Sequence, residues 1–429
     1  MKNTFLKSTF ILLIGGFITK IFGFIIKIIY TNLLGTEGIA LHSLVMPTYS
    51  LLITLANFNI QAAISKRISS KKRAKKVLIS SCYIMLILNT IIILTTILLS
   101  KTISHNLLKN KNTYLPIIAC SLTLPFISIG YIIKGYFYGK QNMSPHMISN
   151  IIEQIFRLLI ISIFLPKISN YGLIWTITSL ILFNILSESV SIIILFFFLP
   201  KNFKIKKKDL LPNKYESKEI LNITVPSISG RLLGNIGYFF EPIILTNILL
   251  YKGMDLNTIT LEYGIYNAYS ISLLLFPSFF ISAISNALMP EISKLQSENN
   301  INKIKKRIKQ SLTISFIIGI LCTTFIYIFK EELLLKLYNT NEGINYIKTL
   351  TPFFVLFYLE SPLASILIGL NKIKTCTIIT VSGIIIKLIS MSILAYIGLG
   401  IYALIISEII NIIYVTLLNY ANVKKSIYT

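Results

Sequence analysis

Long apolar stretches alternate with short polar stretches along the whole chain. Each apolar stretch has roughly 20 residues or more, the length that an α-helix needs to cross the hydrocarbon core of a bilayer. A backbone in lipid has to satisfy its own hydrogen bonds, so these spans are predicted to be helices. The pattern places them near residues 8–33, 39–64, 77–99, 114–138, 147–166, 171–199, 219–250, 262–289, 311–329, 346–370, 376–396 and 399–420. We therefore predict an all-α polytopic membrane protein with about twelve transmembrane helices.

The composition agrees with this class. Hydrophobic residues make up 54% of the 429-residue chain and charged residues only 13%, whereas soluble domains average about 25% charged residues. The first apolar stretch is too long for a cleavable signal peptide, so we expect it to remain as the first helix. The cysteines and histidines show no metal-binding spacing, so no metal site is predicted, and the cysteines are interpreted as packing residues.

The charged residues predict the orientation in the membrane. The formal net charge is +25, and the basic residues concentrate in the loops 65–76, 200–218 and 290–310. All three loops fall on one side if the N-terminus is cytoplasmic, as the positive-inside rule requires. Both termini are therefore predicted in the cytoplasm, with the chain in the cell membrane. Anionic membrane lipids are compatible partners, and the charge needs no nucleic acid to explain it.

Short motifs recur in the two halves of the chain. Lys20-Ile-Phe-Gly23 in the first half matches Arg231-Leu-Leu-Gly234 in the second, and Ile-Ser-Lys follows at both 64–66 and 292–294. A parallel repeat of six helices predicts two lobes with the same orientation. The predicted parts are an N-terminal six-helix lobe, a basic cytoplasmic linker and a C-terminal six-helix lobe, at residues 1–199, 200–218 and 219–429.

Three of the cations inside the predicted spans are candidates for ligand binding: Lys20, Lys27 and Arg231. A charge at the bilayer centre costs about 2.5–3.5 kcal/mol on insertion scales. Lys20 and Lys27 are two helical turns apart and share one face, and Arg231 occupies the matching place in the second half. We predict that they line a water-filled cavity and bind an anion, with phosphate or pyrophosphate the best fit. In the alternative interpretation, Lys27 extends to the interface and Lys20 pairs with a buried glutamate.

Other charges inside the spans are predicted to be structural. Glu153 and Arg157 are spaced i, i+4 and can pair, and Glu188 in the next span is also within reach of Arg157. Lys387 and Glu408 lie at similar depth in consecutive antiparallel spans, which predicts a second pair.

Three further charges are harder to place. Glu360 has no obvious partner and is a candidate for ion coupling or for a protonated carboxyl group. Glu241 follows Arg231 in the same span and is a candidate for either pairing or ion coupling. Lys134 lies near a span end, so its side chain is expected to reach the cytoplasmic interface.

No enzyme motif is present in the sequence. The Walker A, G-x-S-x-G, H-E-x-x-H and G-x-G-x-x-G patterns do not occur, and the predicted loops are too short for a catalytic domain. We predict a transporter without a cofactor, driven by a Na⁺ or H⁺ gradient, by the membrane potential or by the gradient of its substrate.

The opening segments carry a resemblance to a known family. They read Gly-Gly-Phe-Ile-Thr-Lys-Ile-Phe-Gly-Phe-Ile-Ile-Lys at 15–27, Leu-Leu-Gly-Thr-Glu-Gly at 33–38 and Met-Pro-Thr-Tyr at 46–49, and Leu-Met-Pro-Glu-Ile-Ser-Lys at 288–294 agrees in the second half. The chain resembles, over essentially its whole length, the polysaccharide biosynthesis and stage V sporulation protein B family of lipid-linked oligosaccharide flippases. That family belongs to the multidrug/oligosaccharidyl-lipid/polysaccharide exporter superfamily.

The resemblance implies two six-helix lobes around a central cationic cavity, with transport by alternating access. The implied cargo is an undecaprenyl-pyrophosphate-linked oligosaccharide or peptidoglycan precursor, and cell-wall synthesis enzymes are candidate partners. Lys20, Lys27 and Arg231 match the basic positions of the family and would hold the pyrophosphate. Longer relatives carry a further helix pair that can form a groove for the lipid tail; this chain ends at Thr429, soon after the twelfth predicted span, so the resemblance leaves the tail route open.

Two other functions are consistent with the sequence. A multidrug cation antiporter of the same superfamily needs acidic residues in its cavity, but the spans of the first half hold only Glu153 and Glu188. A non-transporting scaffold for cell-wall enzymes would keep its function after Lys20 and Arg231 are replaced by apolar residues.

Overall fold

The computed structural model describes residues 2–70, 74–200 and 211–428, with side chains from Ile14 to Ile427. Within these ranges all regular elements are helical. The first six α-helices are α1 (Lys2–Asn57), α2 (Ile60–Ser69), α3 (Ala74–Lys101), α4 (Tyr114–Gly139), α5 (Ser144–Ile168) and α6 (Leu173–Phe197). They are followed by α7 (Lys214–Tyr251), α8 (Leu256–Gly264), α9 (Ser272–Leu275), α10 (Ser278–Ser297), α11 (Ile301–Tyr338), α12 (Ile344–Gly369), α13 (Ile373–Ile397) and α14 (Tyr402–Tyr428).

Helix α1 contains the first two predicted spans. Its 56 residues would extend about 84 Å at 1.5 Å per residue, far more than one bilayer crossing requires. The helix is interrupted at Gly35, which has φ 63° and ψ −176°. Glycine adopts this conformation without the steric cost that a side chain would bring. The chain therefore turns at Gly35, between the spans predicted at 8–33 and 39–64.

The span predicted at 262–289 is not one continuous helix. Residues Leu256–Leu275 and Ser278–Ser297 form two segments that are bent by 53°. Pro277 lies at the bend, where it lacks an N–H donor and its ring would clash with the preceding turn of a straight helix. Ten described helices are long and apolar enough to cross a membrane, and this bent pair is an eleventh candidate. Counting α1 as two crossings gives the twelve predicted; the cytoplasmic location of the termini stays a prediction.

The chain divides into two compact units, residues 1–239 and 240–429. In the first unit α4 packs against α2, α3 and α6, and α5 packs against α1 and α6. In the second unit α12 packs against α10, α11 and α14, and α13 packs against α14. The boundary lies within α7. Most of the linker predicted at 200–218 lies outside the described residues.

The repeated Ile-Ser-Lys motif makes the same kind of contact in each unit. In the first unit a Cβ atom on Gly135 of α4 would lie 3.0 Å from Ile64 Cβ. In the second unit a Cβ atom on Gly369 of α12 would lie 2.8 Å from Ile292 Cβ. Glycine at both positions lets the helices approach closely, as in other membrane helix pairs. The internal repeat inferred from short motifs therefore has a structural counterpart.

Arg67 differs from the expectation for its segment. The sequence predicts a basic loop at 65–76, but Arg67 belongs to α2 and is only 7% exposed. Its Nη2 lies 2.7 Å from Glu216 Oε2 and its Nη1 lies 2.8 Å from Glu219 Oε2. Arginine suits such a site because its planar group can bond two carboxylates at once. Both partners are in the first turns of α7, so Arg67 joins the end of α2 to the start of α7.

We expect Arg67→Ala to lower the thermal unfolding midpoint and the yield of folded protein. The substitution leaves Glu216 buried without its partner, and breaking a buried pair of this kind costs about 3–5 kcal/mol. Thermal unfolding of the purified protein, followed by intrinsic fluorescence, measures the change. Lys66→Ala removes an exposed cation beside it and serves as the control, with little change expected. An Arg67→Ala protein as stable as this control would contradict the role given to the ion pairs.

Candidate functional site: cations in apolar helices

Lys20 and Lys27 lie on the part of α1 that precedes the break at Gly35. The Lys20 side chain is exposed and the Lys27 side chain is half-buried. Beyond the break, the chain returns alongside this segment. The contact between the rings of Tyr30 and His42, whose centroids are 5.2 Å apart, shows this return. Lys27 lies within electrostatic range of His42. The two lysines are two turns apart on one helical segment, so they occupy the same face of α1.

Arg231 lies on α7, and polar contacts on both sides of it hold that helix against the later part of α1 and against Asn59, the residue that precedes α2. Ser50 Oγ donates a hydrogen bond to Asn235 Oδ1 at 2.6 Å, one turn beyond Arg231. Asn59 Nδ2 donates to Ser227 Oγ at 2.8 Å, one turn before it. The Arg231 side chain between these contacts is exposed. These hydrogen bonds could not be predicted from the sequence, because a polar residue in an apolar span does not indicate which residue it will contact.

The first compact unit contains all three predicted anion-binding cations. Among the residues that the structure describes, Lys20 and Arg231 form no salt bridge, so the buried glutamate considered as a partner for Lys20 is not found there. The cations deeper in the packing differ. Lys134, Arg157 and Lys387 each lie within 4 Å of a glutamate oxygen. Lys20 and Arg231 therefore carry positive charges that no described carboxylate neutralises.

Four side chains of α4, α5 and α6 form a buried polar cluster in the first unit. Arg157 Nη2 lies 2.8 Å from Glu153 Oε1, the contact expected from their i, i+4 spacing. Lys134 is only 6% exposed and its Nζ lies 3.8 Å from Glu153 Oε2. The expectation that Lys134 reaches the interface is therefore wrong, because this partner on α5 holds it inside the helix bundle. Arg157 also donates to Ser187 Oγ from both Nε and Nη2, at 3.1 and 3.0 Å.

Glu188 lies beside this cluster. Arg157 donates to Ser187, the residue before Glu188, and no hydrogen bond joins Arg157 to Glu188 itself in the described part of the chain. Glu188 Oε2 is buried and has no hydrogen-bond partner among the described residues. Gly130 makes room for it, since a Cβ atom there would lie 3.0 Å from Oε2 and 4.0 Å from Lys134 Nζ. The carboxylate is thus packed close to charges without being tied to one of them.

Lys387 is the centre of a three-residue ion cluster in the second unit. Its Nζ lies 2.5 Å from Glu408 Oε2, the pair expected from their depth in consecutive helices. It also lies 2.5 Å from Glu241 Oε2, and Tyr263 places its hydroxyl 3.4 Å from the other oxygen of Glu241. The sequence did not name Glu241 as the second partner, because α7 and α13 are far apart in the chain. One ammonium group here connects three helices, α7, α13 and α14.

Glu360 lines a cavity of about 330 Å³ inside the second unit. Thr416 Oγ1 lies 3.5 Å from Glu360 Oε1, a long contact. Asn411 and Asn419 also line the cavity, and the buried Oδ1 atom of each has no hydrogen-bond partner among the described residues. Ser361 contributes a hydroxyl, and the residues that line the cavity include no lysine or arginine. The cavity therefore offers a carboxylate and unpaired carbonyl oxygens, which are the ligands that hard cations prefer.

Comparison with known proteins identifies the family of the chain. Residues 5–296 match the family model described as polysaccharide biosynthesis protein. The chain belongs to the polysaccharide biosynthesis protein family. Residues 267–393 also match the MatE family model. These matches confirm the resemblance that the opening segments of the sequence carry.

Two relatives from Bacillus subtilis (strain 168) align with most of the chain. Stage V sporulation protein B is 28% identical over 436 residues, covering 99% of this chain and 84% of the relative. The lipid II flippase MurJ is 24% identical over 430 residues, covering 91% of this chain and 77% of the relative. Membership in this family fits a membrane transporter rather than a catalytic enzyme.

The fold also matches a solved structure, the inward-facing conformation of a multidrug resistance MATE family transporter of the MOP superfamily. The TM-score is 0.73 at 17% sequence identity, and the match covers 96% of this chain and 94% of the other. At this identity the match shows the fold alone. The predicted all-helical, two-lobed membrane architecture is confirmed as a MATE-like transporter fold, and the protein is a multi-pass protein of the cell membrane.

Proposed function

We propose that the protein is a flippase for an undecaprenyl-pyrophosphate-linked oligosaccharide or peptidoglycan precursor, which it moves across the cytoplasmic membrane by alternating access. Family membership and the similarity to a lipid II flippase support this class of substrate. The observation that carries the proposal is the exposure of Lys20 and Arg231 on apolar helices without a described carboxylate partner.

The cost of placing charges in a membrane explains why this observation matters. An isolated cation at the bilayer centre costs about 2.5–3.5 kcal/mol on insertion scales, so it persists where it faces water or a partner of opposite charge. Lys134, Arg157 and Lys387 have protein carboxylates as partners. Lys20 and Arg231 have exposed side chains instead, and a pyrophosphate from outside the chain supplies the missing negative charge.

Lys20 and Lys27 are suited to act in sequence. Seven residues of helix separate their backbones by about 10 Å along the axis, so the two ammonium groups mark successive positions along the helix. In the proposal the pyrophosphate meets the two lysines at successive positions along one face of α1, with Arg231 of α7 as the third cation. Lysine suits such transient contacts because its ammonium group is a point charge on a flexible stem.

Direct binding tests the substrate class. The purified protein is titrated with a fluorescent undecaprenyl-pyrophosphate-linked sugar, and in parallel with a lipid of the same chain length that ends in an alcohol. The proposal predicts that saturable binding requires the pyrophosphate and weakens as the salt concentration rises, because charged contacts are screened by salt. Equal binding of the two lipids would mean that the cations do not recognise the substrate.

A second proposal concerns the driving force. We infer that Glu360 and the unpaired oxygens of Asn411 and Asn419 couple transport to a Na⁺ or H⁺ gradient, since the cavity combines a carboxylate with carbonyl ligands and has no lysine or arginine in its lining.

We expect Glu360→Gln to reduce the stimulation of transport by an imposed gradient about tenfold in proteoliposomes. Glu342→Gln, at an exposed acid of the same unit, is the control. Unchanged stimulation in Glu360→Gln would contradict the coupling role.

The same cavity supports one alternative function. A multidrug cation antiporter also needs an acidic cavity in a MATE-like fold, and residues 267–393 match the MatE family model. This alternative predicts that expression of the protein raises resistance to cationic dyes and that Glu360→Gln removes the resistance. The flippase proposal predicts no such resistance.

A further inference from the structure

We propose that a groove between the start of α11 and the end of α14 binds one anionic phospholipid of the cytoplasmic leaflet. The groove, called the basic groove below, has Lys306, Lys309 and Lys424 on its rim and Ile308, Leu312 and Val423 among its apolar lining. It lies in the second unit, apart from the cations of α1 and α7, and the proposal does not depend on the transported substrate.

The shape of the basic groove fits part of a lipid. Its volume is about 580 Å³, and ligand sites in proteins typically measure roughly 300–1,000 Å³. Val423 is 2% exposed and Ile308 is 8% exposed, so these residues form a buried apolar floor. Lys306, Lys309 and Lys424 are exposed at the rim. A ligand that fits this division has an apolar portion that lies on the floor and an anionic group that meets the lysines.

The position of the groove along the helices matches the depth of lipid headgroups. Helix α11 is basic from 303 to 309 and becomes apolar from about 314 onward. The groove joins this transition to the last turns of α14, where Tyr420 is followed by Lys424. Tyrosine and lysine are both enriched where a transmembrane helix leaves the hydrocarbon core. The anionic group would therefore lie at the polar surface of the bilayer, with acyl chains directed inward past Leu312.

Three rim lysines of the groove have no carboxylate partner among the described residues. Arg307 of the same helix is satisfied inside the protein, because its Nε lies 2.7 Å from Glu291 Oε1 and its Nη1 donates to Gln310 at 3.0 Å. Lys306, Lys309 and Lys424 form no salt bridge within the described ranges, and the groove lining includes no acidic residue. A lipid phosphate satisfies these three lysines together. Basic pockets between transmembrane helices on the cytoplasmic side bind anionic headgroups in this way.

A phospholipid fits this site better than the transported lipid does. The groove lies at the end of the apolar helices, whereas Lys20 and Arg231 lie within them. The predicted orientation places it on the cytoplasmic side, where anionic phospholipids supply a high local concentration of phosphate. Bound there, the lipid would link the first turns of α11 to the last turns of α14.

The test compares lipid binding by the intact protein and two matched triple variants. Lys306→Glu/Lys309→Glu/Lys424→Glu reverses the rim charges, and Lys303→Glu/Lys336→Glu/Lys374→Glu reverses three exposed lysines that do not line the groove. Retention of phosphatidylglycerol and of phosphatidylcholine is measured by native mass spectrometry in detergent. Each lysine near an anionic lipid surface strengthens lipid binding about fivefold, so we expect phosphatidylglycerol to bind the rim variant at least about 100-fold more weakly and the control variant like the wild type.

Three outcomes would overturn the proposal. Equal retention of phosphatidylglycerol by the two triple variants would show that the rim lysines do not bind it. Equal retention of phosphatidylcholine and phosphatidylglycerol by the wild type would show an apolar groove without headgroup recognition. Retention of an undecaprenyl-pyrophosphate lipid, but not of phosphatidylglycerol, through the rim lysines would assign the groove to the substrate. A lysine-to-glutamine set at the same three rim positions, checked for a single gel-filtration peak, separates loss of binding from loss of folding.

Discussion

Lys20→Ala and Arg231→Ala are each expected to abolish growth of a flippase-deficient strain that depends on this protein, while the protein remains in the membrane at normal levels. A hydrogen bond to a charged group contributes about 1.5–3 kcal/mol, so the loss of one contact to pyrophosphate lowers transport about 10–150-fold. Both side chains are exposed and have no described carboxylate partner, so their removal costs the fold little.

Matched substitutions separate charge from position. Lys20→Arg keeps the positive charge and should retain most of the activity. Lys111→Ala removes an exposed lysine of the same unit that lies outside the long helices and should leave growth unchanged. Growth is scored together with the amount of membrane protein on an immunoblot. Normal growth of either Lys20→Ala or Arg231→Ala would contradict the anion site and favour the scaffold interpretation, which needs neither cation.

Lys387→Met is expected to destabilise the second unit strongly. The ammonium group lies 2.5 Å from both Glu241 and Glu408, so its loss leaves two carboxylates together in a buried site. Removal of one partner from a buried ion pair costs about 3–5 kcal/mol, which is a large part of the stability of most proteins. We expect a lower unfolding midpoint and a lower yield of monodisperse protein, measured by fluorescence-detected gel filtration after heating.

The order of effects within this ion cluster is the sharper test. Glu408→Gln should cost less than Lys387→Met, because Lys387 still has Glu241 as a partner. The triple variant Glu241→Gln/Lys387→Met/Glu408→Gln removes all three charges and should recover much of the lost stability. A simple exchange of Lys387 and Glu408 should not restore stability, because Glu241 would then face a carboxylate at position 387. A triple variant less stable than Lys387→Met would contradict the assignment of the cluster.

The sequence predicts the membrane architecture well because the hydropathy of each segment is enough to identify it as a transmembrane helix. A stretch of about 20 apolar residues has to be helical in lipid whatever lies beside it, so the spans from 77–99 to 171–199 are close to helices α3 to α6. The break at Pro277 was less visible, since the flanking residues are as apolar as those of a straight helix. The positive φ of Gly35 likewise marks a turn that hydropathy alone places only approximately.

Ion pairs were predictable only where the partners are neighbours in the chain or in consecutive helices. Glu153 with Arg157 and Lys387 with Glu408 met this condition. Arg67 with Glu216, Lys134 with Glu153 and Lys387 with Glu241 did not, because these contacts depend on which helices pack together. Side-chain charge shows that a partner is needed, but tertiary packing selects the partner.

Transport by purified protein in proteoliposomes tests the central claim most directly. Vesicles contain a fluorescent undecaprenyl-pyrophosphate-linked sugar in one leaflet, and exposure of its headgroup on the far side is followed for wild type, Lys20→Ala and Lys111→Ala. The proposal predicts rapid exposure with wild type and Lys111→Ala, and a rate near that of protein-free vesicles with Lys20→Ala. Exposure at the protein-free rate with well-folded wild type, with or without an ion gradient, would contradict the flippase function.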